Sequence, residues 1–317
     1  MEIGGKICRI IIRGADLPTI YWGVMKGSRD TSMKAVELCG DLKCNFVIYE
    51  ADDWNTDFSP WEFTLNQNMT FSGGGRKMLD WLTGECLPYC EREHGLTGKR
   101  ILCGYSLSGL FSLWAFYESG AFSGVISCSG SLWYSGWKSY AASHSAPAGS
   151  TVYLSLGDRE ERARDRTMAA VGDCTRQQYE LMRKDANISR LILHWEQGGH
   201  FSDPEKRIAG GIFWTIAAPV LDGIPFTQVT AKDVRRYMAQ NTDEKSLAEA
   251  YSLTAEKAAA GGNEEWSALE KELREGILSI MESRGYLIPS KGQTEVLKPF
   301  MLKNGYIWSR NGWKLPK

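Results

Sequence analysis

Short apolar runs alternate with amphipathic segments along the first 220 residues of the chain. Runs rich in Ile, Val, Tyr and Trp predict strands, and apolar positions spaced three and four apart predict helices. The predicted strands cover residues 7–12, 19–25, 44–49, 100–104, 125–128, 152–156 and 191–195, and the predicted helices cover 32–42, 76–89, 107–118, 175–184 and 204–218. Residues 54–63 are predicted to form a loop, broken at Pro60. This alternation indicates an α/β fold with a mostly parallel sheet covered by helices on both faces.

The pattern changes after Asp222, where helical periodicity predominates. Thr230 and Asp233 match a capping box at the start of one helix. Asn263 is the expected N-cap of a longer helix that ends at Gly285. We therefore expect an α/β domain over residues 1–222 and a mostly helical C-terminal region over residues 223–317. The second region carries no chemical motif that would define its role.

Composition and charge narrow the range of functions. Hydrophobic residues make up 43% of the chain and charged residues 24%, as in soluble globular proteins. The net charge of −1 gives no positive field for nucleic acid or anionic lipid. No apolar stretch is long enough to span a bilayer, and the N-terminus lacks a signal-peptide pattern. The eight cysteines are scattered without a complete zinc-ligand set, as expected of reduced thiols. These features predict a cytoplasmic protein without nucleic-acid, membrane or metal partners.

The strongest chemical signal is the segment Gly-Tyr-Ser-Leu-Ser-Gly at positions 104–109. It follows a predicted strand and opens a predicted helix, which is the context of a nucleophile elbow. Such a turn lifts the serine hydroxyl away from the end of the strand, and small residues must flank it because the backbone is tightly bent. Ser108 stands where the usual pattern has glycine. Ser106 is therefore the candidate nucleophile, and a plain strand-to-helix turn is the alternative.

A nucleophilic serine needs a base, and the chain has four histidines. His94 lies in a polar segment, His144 lies in a loop of small residues, and His194 falls inside the last predicted strand. His200 follows that strand in the sequence Gly-Gly-His-Phe. Because sites gather at the carboxyl ends of parallel strands, that loop would deliver an imidazole to the elbow. His200 is the predicted base, and His194 is expected to be structural.

The third catalytic group should be a carboxylate that orients the base. It should fall between Ser106 and His200 in the chain, after the predicted strand 152–156. The acids of that segment are Asp158, Glu160, Glu161 and Asp165. In hydrolases that have a nucleophile elbow, the acid commonly lies three residues after the glycine that ends the strand. This spacing selects Glu160. Asp158 is the alternative, and a solvated run of charges is the non-catalytic interpretation.

Two further groups complete the predicted site. An oxyanion hole needs two backbone N–H donors; Leu107, after the nucleophile, would supply one and Gly27 or Lys26 the other. Tryptophans in the loops around the site could form an aromatic wall that binds the acyl or aryl part of a substrate, or could simply pack there. These tryptophans are Trp54, Trp61, Trp133 and Trp137.

Several segments of the chain together resemble the esterase family of α/β-hydrolases that includes esterase D and the enterochelin esterase-like branch. They are Asp-Trp-Asn at 53–55, Phe-Ser-Pro-Trp at 58–61, Phe-Ser-Gly-Gly-Gly at 71–75, the elbow at 104–109, Ser-Gly-Ser-Leu-Trp at 129–133 and Gly-Gly-His-Phe at 198–201. The resemblance covers roughly residues 1–220. It implies the α/β-hydrolase fold and carboxyl-ester hydrolysis, with Ser106 as nucleophile and His200 as base.

These observations predict a serine ester hydrolase that acts on a small or siderophore-like ester without a cofactor. An acyltransferase, a peptidase on the same fold, and a catalytically silent scaffold are the alternatives. The C-terminal region departs from the family pattern. It could serve as a lid, as a surface through which the chain forms a homo-oligomer, or as a partner-binding module.

Overall fold

The computed structural model describes residues 1–217, 220–221, 224–226, 228–241, 244–259, 264–283, 307–309 and 312–314. Contacts divide the chain into two compact units, Met1–Ala217 and Ala218–Lys317. Among the described residues, none of the helices combines the length and the apolar character needed to cross a bilayer.

The first unit is built on an eight-stranded sheet with the order β1-β2-β4-β3-β7-β8-β9-β10. Strands β4, β3, β7, β8, β9 and β10 run parallel to one another, and β1 and β2 form an antiparallel edge. The remaining two strands, β5 and β6, pair as a separate hairpin. The strands are β1 Glu2–Ile3, β2 Lys6–Ile11, β3 Thr19–Met25, β4 Asn45–Ala51, β5 Glu62–Asn66, β6 Met69–Ser72, β7 Arg100–Tyr105, β8 Gly124–Cys128, β9 Ser150–Gly157 and β10 Ile188–Glu196.

Helices cover both faces of this sheet. They are α1 Arg29–Leu38, α2 Trp54–Asp57, α3 Gly75–Trp81, α4 Leu87–His94, α5 Leu107–Ser119, α6 Trp137–Ala142, α7 Arg166–Ala169, α8 Val171–Met182 and α9 Pro204–Ile216. A single π-helical turn joins α3 to α4. Along β3, Ile20 and Trp22 pack with residues of α1 and α9, whereas Tyr21 packs with residues of α3 and α5. Alternate side chains of one strand thus face two separate cores.

The predicted α/β fold is confirmed, and each predicted strand of the first 220 residues corresponds to a strand of the sheet. The loop predicted over residues 54–63 is wrong, because it contains α2 and the start of β5. Asp53 caps α2 by accepting a hydrogen bond from the Thr56 N–H at 2.7 Å. One capped turn and a five-residue strand with a half-exposed face are too short to give a clear periodic pattern.

The described residues of the second unit form three helices and two short hairpins. Its elements are β11 Val220–Leu221, β12 Ile224–Pro225, α10 Ala231–Gln240, α11 Glu244–Ala259, α12 Glu264–Ser283, β13 Ile307–Ser309 and β14 Gly312–Lys314. The capping box of Thr230 and Asp233 is confirmed at the start of α10. The core of the second unit includes Phe226, Val234 and Tyr251. The expected helix ends at Asn263 and Gly285, and the expected domain boundary after Asp222, lie outside the described residues.

Candidate active site

Ser106 occupies a sharp turn between β7 and α5. Its φ of 59° and ψ of −122° lie in a region that residues with a side chain rarely adopt, and such strain is characteristic of nucleophile elbows. A Cβ on Gly104 would lie 2.1 Å from the Ser108 carbonyl oxygen, so only glycine fits there. The Ser108 hydroxyl, in place of the usual glycine, donates to the Gly23 carbonyl at 2.6 Å. The unusual serine therefore ties the start of α5 to β3.

The structure brings Ser106, His200 and Glu160 into one hydrogen-bonded chain. The His200 Nε2 lies 3.0 Å from the Ser106 Oγ, and the His200 Nδ1 lies 2.7 Å from Glu160 Oε2. A neutral imidazole with its proton on Nδ1 satisfies both contacts: it donates to the carboxylate and accepts from the hydroxyl. Ser106 follows β7, Glu160 follows β9 and His200 follows β10, so all three meet at the carboxyl ends of parallel strands.

Glu160 is 5% exposed and fully engaged by donors. Its Oε1 accepts from the Ser129 hydroxyl at 2.7 Å, from the Gly157 N–H at 2.8 Å and from Arg207 Nη1 at 2.8 Å. Burial by itself raises the pKa of Glu160, but the hydrogen bond and charge of His200 and the bonds from Ser129 and Gly157 lower it by more. The carboxylate therefore stays ionised at neutral pH, as a group that supports an imidazolium must.

Asp158, the alternative acid, has a different role in the structure. Its Oδ1 accepts a hydrogen bond from the Gly198 N–H at 2.8 Å. Gly198 has a φ of +114°, and a Cβ there would lie 2.5 Å from the Ser202 hydroxyl, so glycine is required. Asp158 thus holds the loop that carries His200, and Glu160 makes the contact with the imidazole.

The two predicted oxyanion donors differ in orientation. Leu107 is the first residue of α5, so its N–H has no partner within the helix and lies next to the nucleophile. The Gly27 N–H donates to Glu50 Oε2 at 3.3 Å, in an exposed contact. Gly27 and Lys26 therefore both stay candidates for the second donor.

A cavity of about 430 Å³ opens at Ser106. Trp54 and Trp133 line it, and Trp61 does not. The Trp61 indole N–H donates to the Ser135 carbonyl at 2.9 Å, and its ring packs against Tyr134. A tryptophan in a loop near the site can therefore face either the cavity or the packed interior.

Comparison with known proteins identifies the family of this chain. Residues 42–201, just over half of the chain, match the family described as "Putative esterase". The chain belongs to this esterase family. The matched segment includes Ser106, Glu160 and His200, and the protein is accordingly an esterase-type hydrolase. No curated protein matches the chain.

Solved structures of similar fold include an IroE-like serine hydrolase from Shewanella oneidensis, with a TM-score of 0.58 and 14% identity over 84% of this esterase and 95% of that protein. The siderophore hydrolase EstA from Aspergillus nidulans has a TM-score of 0.51 and 17% identity over 64% of this chain and 83% of its own. EstB, a siderophore hydrolase from the same organism, has a TM-score of 0.50 and 16% identity over 66% of this chain and 86% of its own. At these identities the likeness concerns the fold.

The esterase also contains a buried arginine that the sequence patterns did not single out. Arg207 in α9 is 2% exposed. Its Nη1 contacts Glu160 Oε1 and the Ser129 hydroxyl, each at 2.8 Å, and its Nη2 donates to the Gly199 carbonyl at 2.8 Å. One guanidinium thus joins the loops after β8, β9 and β10. Its position one turn into the helix after the His200 loop was the only available signal.

We expect Arg207→Met to lower the free energy of unfolding of the esterase by about 3–5 kcal/mol, because the Glu160 carboxylate would stay buried without its cation. Arg207→Lys keeps the positive charge but cannot make the Nη1 and Nη2 contacts together, so the free energy of unfolding should fall by less than in Arg207→Met. Urea unfolding followed by tryptophan fluorescence measures both effects.

Lys206→Met is the matched control for this measurement. Lys206 is the neighbouring residue, and its exposed side chain pairs with Asp203 at 2.9 Å. Its replacement should change the free energy of unfolding by no more than about 0.5 kcal/mol. Equal changes in the free energy of unfolding for Lys206→Met and Arg207→Met would contradict the stabilising role of the Arg207–Glu160 pair.

Proposed function

We propose that the protein hydrolyses carboxylic esters through an acyl-enzyme formed on Ser106. The observation that supports this most directly is the continuous hydrogen-bonded chain from Glu160 through His200 to the Ser106 hydroxyl. Such a chain raises the nucleophilicity of the hydroxyl at the moment of attack, because the imidazole accepts its proton. The strained elbow and the membership of the esterase family support the same chemistry.

The first half of the reaction forms the acyl-enzyme. Ser106 Oγ attacks the ester carbonyl carbon while its proton passes to His200 Nε2, and Glu160 stabilises the imidazolium. The N–H group of Leu107 and that of Gly27 or Lys26 hold the negative oxygen of the tetrahedral intermediate, and each such donor contributes on the order of a hundred- to a thousand-fold in rate. Collapse of the intermediate breaks the C–O bond, and His200 gives its proton to the leaving alkoxide.

The second half returns the enzyme to its starting state. A water molecule gives a proton to His200 Nε2 as its oxygen attacks the acyl carbon. The tetrahedral intermediate forms again, and its collapse releases the carboxylic acid while the proton returns to Ser106 Oγ. The net reaction consumes one ester and one water and yields one acid and one alcohol.

A small or siderophore-like ester is the substrate class that we propose for this site. Its cavity of about 430 Å³ falls in the range of pockets that bind small molecules. Two structures of similar fold are named as siderophore hydrolases, which makes siderophore-like esters a reasonable group to screen.

Hydrolysis of p-nitrophenyl acetate and p-nitrophenyl butyrate by the unaltered chain tests this function. We expect p-nitrophenol and the free acid to appear in equal amounts. Transfer of the acyl group to an added alcohol in preference to water would instead identify an acyltransferase. Failure to turn over either ester, together with no reaction towards a fluorophosphonate, would contradict the proposal and favour a catalytically silent scaffold.

A further inference from the structure

The cavity at Ser106 has an uncharged lining. Apolar side chains from α2, β6 and the loop after β8 make up one wall, which we call the acyl wall: Trp54, Met69, Phe71 and Trp133. The polar side chains of the lining, Ser28, Thr31, Ser32 and Asn55 among them, are neutral. Among the described residues that line the cavity there is no Asp, Glu, Lys or Arg.

The two charged groups that are bonded into the catalytic hydrogen-bond network compensate each other. Glu160 and Arg207 are both buried, pair with each other at 2.8 Å, and are not part of the cavity lining. Arg207 also contacts the Ser129 and Tyr105 hydroxyls through Nη1 and the Gly199 carbonyl through Nη2. Neither group is therefore available as a counter-ion for a substrate, and an anionic acyl group would lose its hydration without gaining a counter-ion from the cavity lining.

The acyl wall lies on elements other than the loop of His200. The leaving oxygen of the ester must lie at His200 Nε2 to be protonated, beside Phe201, whose ring centroid is 5.0 Å from that of His200. Phe201 is 90% exposed and also lines the cavity. The leaving group therefore belongs beside the His200 loop, and the acyl group is left to the wall formed by α2, β6 and the loop after β8.

We propose that this site selects esters whose acyl group is neutral and apolar, either a short alkyl chain or an aryl group, and rejects acyl groups that carry a carboxylate. The proposal rests on the function proposed above and specifies its substrate class. Each methylene buried against the acyl wall should raise kcat/KM by about fourfold, because apolar burial favours the bound ester by that factor.

A series of p-nitrophenyl esters with one leaving group and different acyl groups tests this selectivity. We expect kcat/KM for butyrate to exceed that for acetate by on the order of tenfold. The monoester of glutaric acid should be turned over at least about a hundredfold less efficiently than the pentanoate, since only the glutarate brings an ion into the uncharged cavity. Equal values for glutarate and pentanoate, or acetate as the preferred ester, would overturn the inference.

Trp133→Ala and Trp61→Ala form a matched pair of variants. Both indoles are half-buried and both pack against Tyr134, with ring centroids 6.4 Å and 5.8 Å away, but only Trp133 lines the cavity. We expect Trp133→Ala to lower the butyrate-to-acetate ratio of kcat/KM at least about threefold and Trp61→Ala to leave it within about twofold. A butyrate-to-acetate ratio that falls in Trp61→Ala and stays unchanged in Trp133→Ala would overturn the assignment of the acyl wall.

The outcomes separate this inference from the proposed function. Hydrolysis of acetate that requires Ser106, without a preference for longer neutral acyl groups, overturns the inference alone. If the unaltered chain turns over none of the esters and a fluorophosphonate does not label Ser106, both the inference and the proposed function are overturned. A preference for neutral acyl groups that weakens in Trp133→Ala supports both.

Discussion

Ser106→Ala and His200→Ala should each lower kcat for p-nitrophenyl butyrate by about a million-fold, because each removes a member of one catalytic unit. Without the Ser106 hydroxyl no acyl-enzyme forms, and without the His200 imidazole, 3.0 Å from that hydroxyl, the proton has no acceptor during attack. The double variant should be no slower than either single variant, because the two groups act in the same step. Initial rates at saturating ester give kcat for the two single variants and the double variant.

Ser131→Ala and His194→Ala are the controls for this prediction. The Ser131 hydroxyl lies 3.5 Å from that of Ser106 and is a competing nucleophile beside it. His194 lies within β10, where its Nε2 is 3.5 Å from Glu196. Both variants should keep kcat within about tenfold of the unaltered chain. A loss in Ser131→Ala as large as that in Ser106→Ala would contradict the assignment of the nucleophile.

Glu160→Gln should lower kcat by about ten-thousand-fold, the effect expected when the orienting carboxylate of a triad becomes an amide. The amide can donate to His200 Nδ1, which favours the tautomer with its proton on Nε2, and that tautomer cannot accept the proton of Ser106. In the unaltered chain the lowered pKa of Glu160 keeps the carboxylate ionised at neutral pH, so initial rates of the two proteins are compared at neutral pH.

Asp158→Asn is the matched control for Glu160→Gln. The new amide side chain keeps an oxygen that can accept from the Gly198 N–H, as Asp158 does at 2.8 Å, so kcat should fall by less than about tenfold. Melting temperatures of both variants confirm that rates are compared between folded proteins, because Glu160→Gln leaves the Arg207 cation without its partner. A large loss in Asp158→Asn together with a small loss in Glu160→Gln would identify Asp158 as the acid.

The sequence predicts the sheet and the elbow well because their determinants are local. The strand predicted over residues 19–25 has the same bounds in the structure, since β3 is buried along most of its length and reads as one continuous apolar run. Ser106 and His200 are recognised because small residues around each permit the tight backbone on which their positions depend. Glu160 could be chosen over Asp158 only through the spacing typical of such hydrolases.

The features that the sequence did not predict depend on contacts between distant segments. Arg207 contacts groups that follow three different strands, and no spacing along the chain marks that convergence. The sequence could not separate Gly27 from Lys26 because the direction of a backbone N–H does not follow from residue type; in the structure the Gly27 N–H donates to Glu50. Trp61 and Trp133 are the same residue type and both pack against Tyr134, so the sequence pattern does not indicate that only Trp133 of the two lines the cavity.

Mapping the site of a fluorophosphonate adduct tests the central claim most directly. The serine oxygen of an activated triad displaces fluoride from the reagent and leaves a stable phosphonyl ester, which tandem mass spectrometry of a digest can locate. We predict one adduct per chain, on Ser106, and labelling at least about a thousand-fold slower in His200→Ala. An adduct on another residue, or hydrolysis of p-nitrophenyl butyrate by a chain whose Ser106 stays unlabelled, would contradict the acyl-enzyme mechanism proposed for this esterase.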